Sequence, residues 1–552
     1  MTPRSWRSDA NPPHGWVGCS PRSSRPSPPG DPVLTFGTAG LRGPVQPGPD
    51  GMNVETVTRA TAGLADWLIT EGATGAPIVV GRDARHGSED FAAATREVLA
   101  AKGFDVIALP DPGPTPLVAF ATRHLRAAAG VMITASHNPA RDNGYKVYLG
   151  GARDGRDAAA GAQLVSPADR EIEAAITAVG PAATVPRLEV EPDPRAAAVA
   201  DGYLSRLTER FAGDAAHPLR IALTPMHGVG GDLALRAFSR CGFDDVRVVD
   251  EQFRPDPDFP TVAFPNPEEP GATDRLLALA DRTDADLAVA LDPDADRCAV
   301  GVRDVDGWRM LTGDETGALL GVGVLDRVGP GGPPTVIASS IVSGTLLHAA
   351  ALRRGADARR TLTGFKWLVR AGEPLVYAYE EALGHCVDPH AVRDKDGVSA
   401  AIACAFLASR WSDRGGLVAA LDALHRECGV HLTAPRSLRL DDPADIAAIM
   451  ADLRSSPPRT LGGIPVTAVD YAARTDGLRT DGVELTGSGA DGVAVRVFVR
   501  PSGTEPKLKF YGQVSAPPAA GSVSTVRHRL SQLLAEVLAE LPSGPRGEEC
   551  GR

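Results

Sequence analysis

Strand-like and helix-like patterns that alternate along the chain restrict its fold more than any other sequence feature. Apolar residues recur at helical spacing over residues 54–68, and the apolar run 77–81 that follows is typical of a strand. A second helix is expected to have Ser88 as its N-cap and to end at Gly103, before a strand over residues 105–109. Strands that alternate with helices of this length predict parallel β-α-β units.

The same alternation recurs in two later blocks. Their strands and helices are predicted, in chain order, at residues 221–223, 233–241, 246–249, 287–291, 335–337, 346–354 and 375–377. Three α/β blocks of similar size are the simplest interpretation. After residue 436 the pattern changes to short strands, such as residues 493–499, and a closing amphipathic helix over residues 526–541, which predicts a smaller α+β domain.

The chain has 552 residues, more than one hydrophobic core usually serves, so several domains are expected. Residues 1–31 contain Pro, Ser, Arg and Gly without apolar periodicity and predict a disordered leader, which need not be the true N-terminus. The Pro-rich stretch 189–195 and the segment 430–436 are the expected boundaries. The predicted domains are three α/β domains at 32–190, 196–304 and 305–428, and a C-terminal domain at 432–545.

Composition argues against several classes of function. The net charge of −12 provides no basic field for a nucleic acid, so any bound phosphate is expected to be small and locally clamped. With 43% hydrophobic residues and no long apolar run, the sequence predicts a soluble protein without a transmembrane helix. The seven cysteines are scattered and form no C-x-x-C pair, which favours a reducing cytoplasm.

Lysine is rare in this chain, because the 57 basic residues include only six lysines. Five of them lie in short motifs: Lys146, Lys366, Lys395, Lys507 and Lys509. Lysine is a compact point charge whose pKa responds to its surroundings, whereas arginine stays protonated. Chance placement of six residues is the alternative, but the clustering favours function.

The stretch 134–139, Thr-Ala-Ser-His-Asn-Pro, follows an apolar run that is typical of a buried strand. Ser136 and His137 are therefore expected just beyond the carboxyl end of a strand, where open α/β sheets bind their ligands. In isolation, a polar turn closed by Asn-Pro is the simpler interpretation. The other motifs on the chain shift the balance towards a functional loop.

The aspartate loop, residues 292–297, places Asp292, Asp294 and Asp296 on alternate positions directly after a predicted strand. Three carboxylates at this spacing can converge on one hard cation. An EF-hand is excluded because its required Gly and Glu positions are occupied by Arg297 and Arg303. A haloacid-dehalogenase type of Asp-x-Asp loop is disfavoured, since that pattern expects a hydroxyl residue in place of Asp296. A solvated acidic loop is disfavoured by the apolar strand before it.

Three further stretches have weaker signals of their own. The phosphate loop, residues 500–507, reads Arg-Pro-Ser-Gly-Thr-Glu-Pro-Lys and offers hydroxyls, a glycine amide and cations to an anion, although a surface turn would explain it in isolation. Residues 37–43 contain three glycines and Arg42, which could reach an anion. A pair of glutamates, Glu380 and Glu381, follows the last predicted strand of the third block.

With the serine, aspartate, glutamate and phosphate motifs in this order, the chain resembles the α-D-phosphohexomutase superfamily from Phe36 to Tyr511. The resemblance implies three similar mixed α/β-sheet domains and a C-terminal α+β domain like the TATA-binding protein, arranged around a central cleft. It also implies an intramolecular phosphotransferase that uses Mg²⁺ and a sugar bisphosphate activator such as glucose 1,6-bisphosphate.

Roles can be assigned, as the resemblance implies, to residues that match the family motifs. Ser136 matches the phosphoserine and, with Asp292, Asp294 and Asp296, a metal ligand. Lys146 matches a lysine implicated in proton transfer, and Arg42, His137 and Arg297 match residues around the phosphoserine. The expected substrate-binding residues are Arg297, Lys366, Glu380, Ala382, Arg500, Ser502, Gly503, Thr504 and Lys507.

The sugar loop, residues 379–384, departs from the pattern because many glucose and mannose enzymes have Ser where Ala382 stands. This form resembles the subgroup that also contains phosphopentomutases. We therefore expect a cytoplasmic mutase for hexose 1- and 6-phosphates, with glucose and mannose as leading sugars and a phosphopentomutase as the alternative. A sugar phosphatase and a non-catalytic sensor are less favoured. The expected partner is a small phosphosugar rather than a nucleic acid or membrane, and the enzyme is expected to be a monomer or a homodimer.

Overall fold

The computed structural model describes residues 34–37, 40–151, 159–212, 217–329, 331–440, 442–502, 507–518 and 522–542. The predicted leader and four residues of the phosphate loop, 503–506, which include Gly503 and Thr504, lie outside the described residues. The described residues form three consecutive α/β units and a C-terminal β-rich unit, which confirms the predicted fold class.

The first unit contains a six-stranded mixed sheet in the order β1-β5-β4-β2-β3, with β6 paired to β5. Helix α1 begins after Asn53, whose side chain accepts a hydrogen bond from Thr56 N and caps the helix. The elements of this unit are β1 (Leu41–Pro44), α1 (Val54–Thr70), β2 (Pro77–Arg82), α2 (Ser88–Ala101), β3 (Asp105–Ala108), α3 (Thr115–His124), β4 (Ala129–Ile133), β5 (Asp142–Leu149), β6 (Ala162–Gln163) and α4 (Ala168–Ala178).

The second unit contains a five-stranded sheet in the order β11-β10-β9-β7-β8. Strand β9 of this sheet is an apolar run in which every residue is buried. The elements are α5 (Pro194–Arg210), β7 (Arg220–Thr224), α6 (Gly231–Arg240), β8 (Asp245–Val248), α7 (Asp250–Phe253), α8 (Asp274–Arg282), β9 (Leu287–Leu291), β10 (Cys298–Asp304) and β11 (Gly307–Met310).

The third unit contains a four-stranded sheet in the order β13-β12-β14-β15. Its first helix begins with a capping box, in which the side chains of Thr312 and Glu315 each accept a hydrogen bond from the backbone N–H of the other residue. The elements are α9 (Gly313–Val328), β12 (Val336–Ser340), α10 (Leu346–Arg353), β13 (Asp357–Thr361), α11 (Phe365–Leu368), β14 (Leu375–Glu380), β15 (Gly384–Cys386), α12 (Gly397–Trp411) and α13 (Gly416–Cys428).

The three α/β units share one strand arrangement. In each unit a central strand, β2, β7 or β12, pairs in parallel with a strand on either side. One of these neighbours, β4, β9 or β14, then pairs with the next strand along the chain in the antiparallel direction. The connections that follow β4, β9 and β14 therefore occupy equivalent places in the three units.

The C-terminal unit contains a five-stranded antiparallel sheet in the order β16-β22-β21-β20-β19. Helix α15 packs on β16 and β22, and its apolar residues join the core of this unit. The elements are β16 (Val430–Arg439), α14 (Pro443–Ser455), β17 (Thr460–Leu461), β18 (Ile464–Pro465), β19 (Thr467–Asp470), β20 (Val483–Ser488), β21 (Ala494–Pro501), β22 (Lys507–Ala516) and α15 (Val523–Ala539).

Three details differ from the sequence predictions. Ser88 is the first residue of α2 rather than its cap, because its hydroxyl donates to the buried carboxylate of Asp83 instead. The predicted boundary segment 430–436 is a strand, since it belongs to β16. The predicted division after residue 304 cuts the second sheet, because β11 pairs with β10. The other domain boundaries stay predictions.

One large apolar cluster extends across the first three units, and a separate cluster fills the C-terminal unit. The first three units are therefore packed against one another through a shared apolar core. The described cysteines, from Cys241 to Cys428, are all unpaired thiols. Within the described ranges, no helix is both long and apolar enough to cross a membrane.

Candidate active site

Three polar loops lie at the equivalent places in the three α/β units. The serine loop, residues 134–141, joins β4 to β5; the aspartate loop joins β9 to β10; the sugar loop joins β14 to β15. Each loop contains a non-glycine residue with a positive φ angle, namely Ser136 (54°), Ala295 (52°) and Leu383 (64°). Such conformations persist only where the surrounding structure imposes them. The three loops are therefore held in shape by their contacts.

The serine loop is fixed by a buried arginine from the connection after β2. Arg85 Nη2 donates to the carbonyls of Ser136 and Asn138 at 2.6 Å each. Its Nη1 donates to the carbonyls of Pro139 (2.9 Å) and Asp142 (3.1 Å). One guanidinium therefore holds four backbone oxygens of the loop and its following strand, which orients the Ser136 side chain.

Ser136 reaches the aspartate loop directly. Its Oγ donates to Asp292 Oδ2 at 3.2 Å, and its side chain is buried. His137 Nδ1 also lies 3.2 Å from this Oγ. The predicted serine and the predicted metal ligands, which are 156 residues apart in the chain, are thus neighbours in space.

Asp292, Asp294 and Asp296 form one buried cluster, in which one carboxylate oxygen of each lies within 4.8 Å of the others. Asp294 Oδ1 and Asp296 Oδ1 are buried and have no hydrogen-bond partner among the described residues. Buried carboxylate oxygens without donors are costly, and three convergent oxygens are the ligands that hard divalent cations prefer. The residues present therefore fit a metal ion such as Mg²⁺.

Thr115 fixes the middle carboxylate of this cluster from the start of α3. Its Oγ1 donates to Asp294 Oδ2 at 2.6 Å, and its backbone N–H donates to Asp294 O at 2.9 Å. This contact joins the first unit to the aspartate loop of the second unit. It leaves Asp294 Oδ1 available for a further ligand.

Two lysines neutralise the far side of the cluster. Lys146 Nζ lies 2.7 Å from Asp294 Oδ2 and 3.0 Å from Asp296 Oδ2, and Lys395 Nζ lies 3.2 Å from Asp296 Oδ2. Burial alone would raise the pKa of Asp296, but Lys146 and Lys395 outweigh it and hold that pKa well below its usual range. Burial alone would lower the pKa of Lys146, but Asp294 and Asp296 raise it. Asp296 is therefore a carboxylate and Lys146 an ammonium.

Arg297 bonds Asp292 through its Nε at 2.9 Å and contacts Glu268 at 3.4 Å through its Nη1. Its Nη2 is buried and has no hydrogen-bond partner among the described residues. Burial raises the pKa of Asp292, while Arg297 opposes that rise. The Nη2 group of Arg297 could therefore donate a hydrogen bond to an anionic group beside the Ser136–Asp292 contact.

Arg42 and His137 complete the surroundings of Ser136. Arg42 Nη1 donates to Asn138 Oδ1 at 3.2 Å; burial lowers the pKa of Arg42, and the charges of Asp294 and Asp296 oppose that shift. Burial and the charges of Arg297 and Arg42 lower the pKa of His137 well below its usual value, so its imidazole is neutral. The residues that the sequence predicts around Ser136 therefore lie together.

The sugar loop contacts the aspartate loop through its backbone. Cys298 N donates to Leu383 O at 3.2 Å, and Arg297 forms an isolated β-bridge with Gly384. A β-carbon at Gly384 would lie 2.5 Å from Lys395 Cδ, so the glycine leaves room for this lysine to reach Asp296. Burial raises the pKa of Glu380 to about 7, against the opposing charge of Lys395. Glu380 and the half-buried Ala382 thus lie in the loop that contacts the aspartate loop.

Lys366, Arg500 and Ser502 are predicted substrate-binding residues for which the structure shows other contacts. Lys366, in α11, has Asp169 and Arg370 as its charged neighbours, and burial lowers its pKa. In the phosphate loop, Ser502 N donates to Lys507 O at 2.8 Å. The pKa of Tyr511 is raised by burial and by Glu381, whereas the charge of Arg500 opposes the rise. Arg500 and Glu381 therefore both lie close to Tyr511, which brings the first residue of the phosphate loop near the residue after Glu380.

Four residues in contact with the site were not assigned to it from the sequence: Arg85, Thr115, Glu268 and Lys395. Lys395 is one of the rare lysines, but its motif alone predicts no role. Arg85 follows the carboxyl end of β2, the same sheet edge that pointed to Ser136, so this rule could have found it. Thr115 carries no sequence signal because its contact with Asp294 spans two units, and Glu268 carries none because it lies in a loop 29 residues before Arg297.

Family models match the three α/β units in chain order. The models for domains I, II and III of phosphoglucomutase/phosphomannomutase match residues 33–180, 201–307 and 312–423. A probable phosphomannomutase of Haemophilus influenzae is 39% identical over 469 residues, which cover 84% of this chain and 92% of that protein. Human phosphopentomutase is 33% identical over 563 residues, which cover 91% of this chain and 88% of that protein.

A solved phosphoglucomutase/phosphomannomutase family protein of Burkholderia thailandensis has the same fold, with a TM-score of 0.67 and 20% identity. The alignment covers 93% of this chain and 99% of that chain. Fold and site together define a phosphosugar mutase, an intramolecular phosphotransferase of the isomerase class, as the sequence predicts. The chain belongs to the phosphoglucomutase/phosphomannomutase family of the α-D-phosphohexomutase superfamily.

Proposed function

We propose that this enzyme interconverts hexose 1-phosphate and hexose 6-phosphate, with glucose and mannose as its sugars. A phosphoryl group on Ser136 would pass to the sugar phosphate, and the resulting bisphosphate would return its other phosphoryl group to Ser136. The observation that supports this best is the 3.2 Å contact between Ser136 Oγ and Asp292, at the edge of a buried cluster of three aspartates. Phosphoryl transfer depends mainly on positioning and charge neutralisation, which such a site provides.

The aspartates and phosphorylated Ser136 would hold Mg²⁺, which when bound would neutralise charge on the transferring phosphoryl group. Arg297 would donate its unpartnered Nη2 to a phosphoryl oxygen. Arg42 would add a second positive charge, and neutral His137 would contribute a hydrogen bond. These donors are already in place before the reaction, so little reorganisation is needed when charge develops.

Lys146 would handle the proton of the sugar hydroxyl. As the phosphorus–oxygen bond to Ser136 breaks and a bond to the sugar oxygen forms, the hydroxyl proton must leave for a nearby base. Lys146 is the buried amine that contacts Asp294 and Asp296, two of the expected metal ligands beside Ser136. In its neutral form it would accept the hydroxyl proton, and it would return this proton in the reverse transfer. No other reactant is consumed, because the second transfer returns a phosphoryl group to Ser136 and so restores its phosphorylated form.

Glu380 would accept hydrogen bonds from sugar hydroxyls beside Ala382, with Lys366 at the edge of the cleft. The non-reacting phosphate would lie against Arg500, Ser502, Gly503, Thr504 and Lys507. Since the bisphosphate must turn over between the two transfers, this clamp must accept either phosphate. A sugar bisphosphate such as glucose 1,6-bisphosphate would serve as activator, because it phosphorylates Ser136 directly.

A phosphopentomutase is the second candidate, and one observation favours it. Ala382 removes a hydroxyl from the sugar loop, so one hydrogen bond to a hexose would be missing. The human relative that is 33% identical is named a phosphopentomutase, whereas the Haemophilus relative that is 39% identical is named a probable phosphomannomutase. We give precedence to the hexose reaction.

A side-by-side turnover assay tests the choice of sugar. Glucose 1-phosphate, mannose 1-phosphate and ribose 1-phosphate would be compared at equal concentration, with Mg²⁺ and a catalytic amount of the matching bisphosphate. We expect kcat/KM to be highest for a hexose. Dominant turnover of ribose 1-phosphate would establish the pentose reaction instead, and release of free phosphate without isomerisation would indicate a phosphatase.

A further inference from the structure

A short turn connects the sugar loop to the C-terminal unit. This linker turn, residues 340–345, connects the last residue of β12 to the start of α10. The hydroxyls of Ser340 and Ser343 both donate to Glu381 Oε2, at 2.9 and 2.8 Å. Glu381 N donates back to Ser343 Oγ at 3.3 Å. The linker turn therefore holds the residue next to Glu380 through three hydrogen bonds.

The other side of the linker turn binds a buried arginine of the C-terminal unit. Arg496, in β21, donates through Nη1 to Ser343 O at 3.2 Å and through Nη2 to Ile341 O. Its Nε donates to Glu484 Oε1 at 2.5 Å, and the residue is 7% exposed. All three nitrogens of this guanidinium are thus engaged, and two of them bind backbone oxygens of another unit.

A second side chain of the same sheet reinforces this contact. Thr345 N donates to Gln513 Oε1 at 3.0 Å, and Gln513 Nε2 donates to Thr345 Oγ1 at 2.6 Å. Gln513 lies directly opposite Arg496 in the pairing of β21 with β22. Because cross-strand partners share one face of a sheet, Arg496 and Gln513 reach the linker turn from the same face.

Strand β21 extends from this contact to the phosphate loop. Arg500 is four residues beyond Arg496, so both side chains emerge from the same face of the strand, about 13 Å apart along it. A paired strand in the middle of a sheet is rigid over this length. A contact that fixes Arg496 on the linker turn therefore also fixes the distance between Arg500 and the sugar loop.

We propose that Arg496 is a positioning residue that sets the phosphate clamp at the right distance from the sugar loop, through the chain Glu381, Ser343, Arg496 and Arg500. This inference rests on the proposed function, since it assumes that both loops bind one phosphosugar. Glu381 and Arg496 meet on the same residue, Ser343, so ordering of the sugar loop and docking of the C-terminal unit stabilise each other.

The charge-conserving variant Arg496→Lys tests the proposal, because lysine cannot donate to two carbonyls and Glu484 in one fixed fork. Buried charge-assisted hydrogen bonds are strong, so we expect the affinity for glucose 1,6-bisphosphate, measured by calorimetry, to fall about tenfold. KM for the phosphosugar that the wild type turns over fastest should rise by a similar factor, with a smaller change in kcat. Arg529→Lys is the matched control, as its Nη1 only pairs with Asp491 at 3.8 Å on the surface.

Ser343→Ala provides an independent variant, because it removes the hydroxyl bonds to Glu381 and leaves the Ser343 carbonyl in place. If both residues belong to one chain of contacts, the double variant should lose less affinity than the product of the two single losses. Unchanged bisphosphate affinity in Arg496→Lys, or a lower melting temperature as its sole effect, would overturn the proposal. Wild-type protein that binds bisphosphate but turns over no phosphosugar would refute the proposed function, while the binding comparison would still decide on Arg496.

Discussion

Lys146 Nζ and Asp294 Oδ2 lie 2.7 Å apart, and both side chains are buried. The ammonium is therefore the counter-ion of two carboxylates that would also hold a metal ion, and these carboxylates raise its pKa. A protonated amine cannot accept a proton. Proton transfer by Lys146 thus requires that its contacts with Asp294 and Asp296 weaken when the reacting groups are bound.

Substitution of Lys146 separates its charge from its proton transfer. Lys146→Gln should lower kcat by about 10²–10⁴-fold, as expected for the loss of a general acid or base. Lys146→Arg keeps the positive charge but stays protonated, so it should be as inactive if proton transfer is the role. Measured kcat values decide the matter: an arginine variant with most of its activity would show that Lys146 acts through charge alone.

Ser136→Ala should lower kcat by about 10³-fold or more, because the enzyme then has no hydroxyl to carry the transferred phosphoryl group. The positive φ at this position suits alanine poorly, so Ser136→Gly is the companion variant, since glycine adopts that conformation freely. Both variants should melt cooperatively. Phosphosugar isomerisation and incorporation of labelled phosphate from a bisphosphate provide the two measurements, and near-normal activity in either variant would remove Ser136 from the mechanism.

Asp294→Asn should weaken Mg²⁺ binding by at least about tenfold, because it replaces a carboxylate oxygen by a neutral amide. The variant keeps an acceptor for Thr115 in one amide orientation, so the fold should survive. Magnesium titration by calorimetry checks the affinity, with Asp281→Asn as a control at an exposed position. Equal affinities for Mg²⁺ in Asp294→Asn and wild type would refute the metal assignment.

Arg85→Lys should reduce kcat by about 10²-fold, since lysine cannot hold four carbonyls and the serine loop would shift. Arg96→Lys, which affects a surface contact with Glu89, serves as the control. Steady-state kinetics and thermal melting should be compared for both variants. If Arg85→Lys loses stability while its kcat stays at the wild-type value, Arg85 has no part in orienting Ser136.

Periodicity was enough to predict the three α/β units, because their strands are short apolar runs followed by polar loops. The apolar run 287–291 forms β9, as the pattern predicts, and every residue of this strand is buried. The start of α2 was less predictable, since Ser88 bonds Asp83 instead of capping the helix. The end of the second sheet was misplaced because β11 is a short hairpin strand without a clear apolar pattern.

The site was predictable where its residues come in compact motifs. Ser136 and the three aspartates each follow a buried strand, and the rule for sheet edges brings them to one cleft. The contacts between units could not be predicted in the same way. Thr115 and Asp294 are 179 residues apart, and the Ser343–Arg496 contact spans 153 residues, so they depend on how complete units pack.

His385 gives a test of pH dependence at the base of the sugar loop. The residue is fully buried, and burial lowers its pKa from 6.5 to about 3. Its Nδ1 lies 3.1 Å from Tyr377 OH, and the Tyr379 ring stacks at 6.4 Å; no charged group contributes to the shift. Below pH 6.5 the imidazole of His385 binds a proton in the unfolded chain but stays neutral in the folded protein. Stability from this group is therefore complete above pH 6.5 and falls as the pH is lowered towards 3.

His385→Asn removes the titration and keeps an acceptor for the Tyr377 hydroxyl. The free energy of unfolding of the wild type should fall more steeply with acid than that of the variant, by at most about 1.4 kcal/mol per pH unit. At pH 7.5 the variant should be the less stable protein, because asparagine leaves part of the ring volume empty. Melting temperatures at pH 7.5, 6.5, 5.5 and 5.0 compare the two slopes. Parallel slopes would show that His385 is protonated equally in the folded and unfolded chains.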